Sequence, residues 1–225
     1  MSLPDSSSLA ARLAALRSQM PAGVRLIAVT KTHSAEVVRA AYDLGLRDFG
    51  ENRVQEAIAK AEDLGELPGA IWHLLGPLQS NKARKAVQQF DWIHSLDSLE
   101  LARRLDRLAV ELGRSPTLLL QVKLRPDPNK GGWDPAELRA ALPDLDALEH
   151  VRIRGLMAIP PLGLTEAETR AVFAEARQLA SEIATGPWQR LRMEELSLGM
   201  SGDFDWAIAE GSTCVRLGTV LFGRR

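Results

Sequence analysis

Short apolar runs alternate with longer amphipathic stretches along the whole chain. Residues 24–33 set the pattern. A run rich in β-branched side chains, preceded by Pro21 and Gly23 and ending in Lys31, reads as a strand covered on both faces. Further strands are expected over 46–50, 70–75, 91–96, 117–124, 151–159, 194–198 and 214–217, bounded by glycine, proline or capping residues. Helical stripes fill the intervals. Asp5 and the serines after it cap a first helix to about residue 19, with Leu9, Leu13 and Leu16 on one face. Ser34 caps a helix that carries Val37, Val38, Ala41 and Leu44 and stops at Gly45. One helix follows Asn52, a basic one carries Lys82, Arg84 and Lys85, and Asp97 caps another that Gly113 ends. Asp134-Pro135 joins an N-cap to a proline at the first helical position. Residues 165–184 form a long helix with Glu166 and Glu168 in its first turn, and 203–210 form a short one.

Strands alternating with helices predict an α/β fold with a parallel sheet and right-handed crossovers. Eight such units in about 200 residues fit a closed (β/α)8 barrel of the TIM type with an extra N-terminal helix. An open doubly wound sheet is the competing arrangement, but no Gly-x-Gly-x-x-Gly turn follows the first strand. No linker interrupts the rhythm, so residues 1–225 read as a single barrel domain.

Composition narrows the partners. The net charge of -1 gives no bulk attraction toward nucleic acid or an anionic membrane. The single cysteine, Cys214, excludes an intramolecular disulfide and a cysteine zinc cluster, and suits a reducing compartment. The first residues lack a basic segment backed by an apolar one, and no run approaches a membrane span. A cytoplasmic protein is expected.

Chemistry in such barrels gathers at the carboxyl ends of the strands. Those ends carry Lys31, Glu51 with Asn52, Gly76, His94 with Ser95, Lys123, Met157, Ser201 with Gly202, and Arg216 with Gly218 and Thr219. Lys31 is either a snorkelling rim lysine or a desolvated amine able to form a Schiff base. His73 and His94 fit hydrogen-bonded core positions, and the four histidines share no spacing with carboxylates that would bind a metal. Residues 198–203 run from strand to glycine turn, hydroxyl and helix start, and Leu217-Gly218-Thr219 repeats the arrangement. Loops after the seventh and eighth strands commonly hold a phosphate, through free amides. Alternation in Cys214-Val215-Arg216-Leu217-Gly218 turns Arg216 into the barrel, where its charge needs a carboxylate such as Glu51 or a ligand.

Several segments closely resemble the YggS/PROSC pyridoxal phosphate homeostasis family. They are Ala28-Val29-Thr30-Lys31-Thr32, Phe49-Gly50-Glu51-Asn52-Arg53-Val54-Gln55-Glu56, the stretch 72–82, His94-Ser95-Leu96-Asp97, Gly155-Leu156-Met157, 196–203 and 211–219 with Phe222-Gly223. The resemblance implies an alanine-racemase-like barrel that binds pyridoxal 5'-phosphate (PLP). It implies Lys31 as the Schiff-base lysine, Ser201, Gly218 and Thr219 at the phosphate, and Arg216 at the pyridine nitrogen. Asn52, Met157 and Met200 fall around the ring, and Lys130 lies in a loop near the pocket mouth. Departures from the family pattern are His33-Ser34 where proline is common, Lys123 where asparagine is typical, and Arg53 in place of a frequent aromatic.

These features favour a carrier over a catalyst. A strong electron sink needs a carboxylate at the pyridine nitrogen, and an arginine cannot accept a proton. The single tyrosine, Tyr42, falls inside a helix, and the last strand lies a few residues from Arg225, so no second domain is expected to close the site. The expected function is PLP homeostasis without robust catalysis, in a monomer that serves PLP-dependent apo-enzymes. A low-activity PLP-dependent amino-acid racemase is the alternative, and a cofactor-free Schiff-base aldolase is a third class.

Overall fold

The computed structural model describes residues 6–128 and 130–223. The cap assigned to Asp5 lies outside the described residues, as does Asn129. Helix α1 (Ser6–Gln19) precedes eight strand–helix units. These are β1 (Arg25–Val29), α2 (Ala35–Asp43), β2 (Asp48–Glu51), α3 (Val54–Leu64), β3 (Ile71–Leu74), α4 (Ala83–Gln89), β4 (Trp92–Leu96) and α5 (Leu99–Leu112). Then come β5 (Thr117–Val122), α6 (Pro135–Asp146), β6 (Arg152–Ala158), α7 (Glu166–Ala184), β7 (Glu195–Met200), α8 (Phe204–Ala209), β8 (Cys214–Leu217) and α9 (Thr219–Phe222).

The strands are parallel and close in sequence order, with β8 returning to β1 through Arg25↔Cys214 and Ile27↔Arg216. A (β/α)8 barrel with an extra N-terminal helix is therefore the fold. Most buried apolar side chains fill the layer between strands and helices. A small separate cluster of Ile27, Val29, Leu75 and Cys214 occupies the barrel interior. Val215 and Leu217 belong to the outer layer, which turns Cys214 and Arg216 inward as alternation requires.

Local chemistry sets the ends. Thr165 and Glu168 form a reciprocal capping box on α7, and Asp134 accepts the Ala136 amide ahead of Pro135 on α6. Gly113 stops α5 at φ 60°. Ser98, not Asp97, caps α5: its hydroxyl accepts the Leu101 amide, while Asp97 stays at the end of β4, where burial raises its pKa. The basic segment after β3 starts as a 3-10 turn (Ser80–Lys82) before α4. Helix α1 docks beside α9, its Arg12 Nε donating to Leu221 O (2.7 Å). Among the described residues no helix is long and apolar enough to cross a membrane.

Candidate functional site

Lys31 lies on a turn just past β1, with its side chain exposed at the carboxyl rim. Its exposure corrects the desolvated-amine expectation. The strand also stops earlier than expected. Thr30 gives its amide to Gly50 O (3.0 Å), and Thr32 then takes φ 62°, in the left-handed region. A β-branched residue there is a steric outlier costing about 1–3 kcal/mol, so neighbouring groups must hold the turn. His33 closes it by donating its amide to Thr30 O (2.9 Å), and its ring lies 4.9 Å from that of Phe222.

Arg216 sits inside the barrel at 4% exposure, in register with Ile27 on β1 and Met200 on β7. Its Nη1 donates to Ser197 O (2.5 Å) and Ser197 Oγ (2.6 Å), and its Nη2 to Ala158 O (3.1 Å). All three acceptors are neutral, and burial pulls the guanidinium pKa down. Glu51, the anticipated structural partner, is not among them. It accepts instead from Thr30 Oγ1 (2.6 Å) and Lys60 Nζ (2.6 Å).

Ser201 follows β7, and its Oγ accepts the amides of Gly218 (3.2 Å) and Val220 (3.3 Å). Amides expected to be free thus converge on one oxygen beside the exposed Thr219. The approach of β7 to α8 depends on Gly199. At φ 87°, a Cβ there would lie 2.6 Å from that of Ala207. Met157 is buried inside β6, next to the Ala158 carbonyl that Arg216 uses, and Met200 ends β7. Asn52 is half-buried just past β2, beside a groove of about 450 Å³ that Arg53, Leu78 and Lys82 also line. The barrel therefore gathers Lys31, Met157, Met200, Ser201, Arg216, Gly218 and Thr219 on neighbouring strands, with Asn52 on the next one. Lys123 follows β5, on the far side of the ring of strands from β1, and Lys130 is exposed in the loop before α6.

Below the rim runs a chain of polar groups that strand-end reasoning did not reveal. Ser197 Oγ, already accepting from Arg216, is left to donate to His94 Nδ1 (2.9 Å). His94 Nε2 lies 3.0 Å from His73 Nδ1, and His73 Nε2 lies 3.0 Å from Asp48 Oδ1. A donor-only guanidinium at one end and an acceptor carboxylate at the other fix both tautomers: each imidazole accepts at Nδ1 and donates at Nε2. Burial lowers the pKa of both histidines, His94 furthest because His73 and Arg216 add to the penalty. Asp48 also faces Arg25 (3.7 Å), which pairs with Glu195 (3.2 Å) and covers the Trp92 ring. The buried positive charge at the top is thus connected by oriented hydrogen bonds to a carboxylate at the floor.

A sequence model of the alanine racemase N-terminal domain family matches residues 5–225. The chain is 50% identical to the pyridoxal phosphate homeostasis protein of Synechocystis sp., over 92% of this chain and 94% of that one. Two solved structures of PipY from Synechococcus elongatus also match. One, without PLP, is 64% identical with a TM-score of 0.93, and the other, with PLP bound, is 63% identical with a TM-score of 0.92. Each match covers 96% of this chain and 100% of the other.

Proposed function

The chain belongs to the pyridoxal phosphate homeostasis proteins of the alanine racemase N-terminal domain family, and from that premise we propose that it holds PLP as a Schiff base on Lys31 and acts in vitamin B6 homeostasis as a carrier without robust catalysis. The observation carrying this reading is the buried Arg216 guanidinium, bonded only to neutral oxygens and set between an exposed lysine and two converging amides. A ligand with an acceptor nitrogen and an anionic tail suits both polar features. When bound, the group supplies an aldehyde that condenses with an amine, C=N replacing C=O with loss of water.

The donors fit that group. Ser201, Gly218 and Thr219 take the phosphate through hydroxyls and backbone amides. Arg216 donates to the pyridine nitrogen, and Asn52, Met157 and Met200 flank the ring. Arg216 also favours a carrier: a guanidinium cannot keep a proton on the ring nitrogen, which leaves a weak electron sink that alanine racemases tolerate only with a second base. Tyr42 Oη donates to Pro68 O (2.8 Å) beside the Arg47 guanidinium, ahead of β2, and offers no base at the rim. Lys31, exposed at the rim, would hold the aldehyde where solvent and apo-enzymes could reach the link. We assign the protein to the cytoplasm as a monomeric, single-domain barrel.

The test is the absorption spectrum of the purified protein before and after borohydride reduction, with a peptide map of the trapped residue. A visible band lost on reduction, with the adduct on Lys31, is expected. A protein that refuses added PLP, or an adduct on another lysine, refutes the reading. Amino-acid racemisation abolished by Lys31→Ala would make the protein a catalyst instead.

A further inference from the structure

Behind the Lys31 turn lies a buried lysine that the binding site does not use. Lys60 of α3 is 5% exposed, and its ammonium donates to Thr30 O (2.7 Å), Glu51 Oε1 (2.6 Å) and Glu56 Oε1 (2.9 Å). Glu56 Oε1 also accepts the amide of Thr32. The residues on either side of Lys31 are therefore both bound to one cluster, Thr30 through its carbonyl and Thr32 through its amide. Glu51, fully buried at the end of β2, ties that cluster to the sheet through Thr30 Oγ1 (2.6 Å). Thr32 is the only non-glycine residue with positive φ among the described residues, so this turn is the place where the backbone needs such a hold.

We propose that Lys60 and Glu56 are positioning residues for Lys31: by gripping Thr30 and Thr32 they fix the turn from which the Lys31 amine meets an aldehyde. The proposal rests on the Schiff-base reading of Lys31. It separates two parts of binding that the fold builds from different elements. The β7 and β8 turns and Arg216 grip the tail and ring, whereas the α3 cluster sets the lysine. Loosening the α3 cluster slows covalent capture and leaves the non-covalent grip intact, because misplacing a reacting group costs rate without costing contacts elsewhere.

The experiment compares two probes on the full chain freed of cofactor. Borohydride trapping after timed addition of PLP reads covalent capture on Lys31. Equilibrium binding of pyridoxamine 5'-phosphate, which has no aldehyde, reads the grip alone. Glu56→Ala, at a partly exposed position, is expected to slow capture about tenfold or more while pyridoxamine 5'-phosphate affinity stays within about twofold. Adding Thr32→Asn, a residue that tolerates the left-handed region, is expected to restore much of the rate. Lys60→Met should behave like Glu56→Ala if it folds, and Glu56→Ala decides the matter if it does not. Unchanged capture in Glu56→Ala, or a parallel loss of pyridoxamine 5'-phosphate binding, overturns the proposal. Absence of a Lys31 adduct in the unaltered protein would sink the underlying Schiff-base reading first, and Lys31→Ala run alongside identifies that outcome.

Discussion

The hydrogen-bonded chain through the barrel makes a prediction that can be worked from geometry. Replacing His94 by leucine keeps an apolar side chain of similar size but removes two bonds, one accepted from Ser197 Oγ (2.9 Å) and one donated to His73 Nδ1 (3.0 Å). Both stranded groups lie in fully buried residues. A buried polar group left without its partner costs about 1–3 kcal/mol, so the single substitution should destabilise by about 2–6 kcal/mol. For a chain of this size that lowers Tm by roughly 4–24 °C, at about 2–4 °C per kcal/mol. His73→Leu strands the His94 Nε2 donor and takes one donor from Asp48, which keeps Arg25.

The double substitution is the discriminating measurement. With both imidazoles gone, the His73 Nδ1 and His94 Nε2 groups that the singles strand no longer exist, and only Ser197 and Asp48 lose a bond, each keeping its arginine. The double variant should therefore be more stable than the sum of the singles implies, with a coupling of about 1–3 kcal/mol. Urea unfolding of the four proteins, at constant m, gives the cycle. Additivity within about 0.5 kcal/mol would refute the chain as a connected unit, whatever the single costs are.

Three further outcomes follow from particular contacts. Since burial holds His73 and His94 neutral, the unfolded chain gains protons below its ordinary pKa of 6.5 that the barrel refuses. Stability is thus full above that pH and falls as pH drops. Glu51, raised from 4.5, acts in the opposite sense with one proton at most. Urea unfolding at descending pH checks this, and stability that is flat or rising toward pH 5.5 contradicts it. Arg216→Ala should weaken PLP binding at least tenfold, about 1.4 kcal/mol, by fluorescence titration; an unchanged Kd means that Ser197 and Ala158 are the arginine's whole purpose. A Cβ at Gly76 would fall 2.2 Å from the Asn52 carbonyl oxygen, so Gly76→Ala must displace backbone at the rim, lowering Tm and PLP affinity together. An unshifted Tm would show that the rim can yield without cost.

The barrel was legible because parallel strands buried on both faces are written as apolar runs, and their spacing with helical stripes repeats along the chain. Boundaries were less legible where two residues could do one job. Asp97 and Ser98 both suit an N-cap, and only the Ser98 hydroxyl faces the Leu101 amide. Helix α9 has four residues, too few to show a period. Lys31, Asn52, Ser201, Gly218 and Thr219 could be located at the rim because each follows a strand end. What could not be read were contacts set by register across a closed sheet. Asp48, His73, His94, Ser197 and Arg216 lie on five strands, and no spacing in the chain relates them. Lys60 stands four residues after Glu56 on α3, a spacing that pairs the two charges but does not reveal the β1 turn that the Lys60 ammonium reaches.

These two hidden networks divide the work of the site. A buried cation whose hydrogen bonds all go to neutral oxygens is costly, and Arg216 is supported by Ser197, His94 and His73, whose dipoles are oriented along the chain to Asp48, and by the negative charge of Asp203. In that arrangement each bond fixes the next tautomer. The lysine turn, by contrast, is held from outside the barrel by a helix, through an ion cluster that touches the Thr30 carbonyl and hydroxyl, the Thr32 amide and the end of β2. The proposed ligand is therefore gripped from the barrel interior, while its proposed covalent link depends on a separate element at the rim. On the proposed carrier reading, this separation lets the strength of the hold and the ease of release be set by different residues.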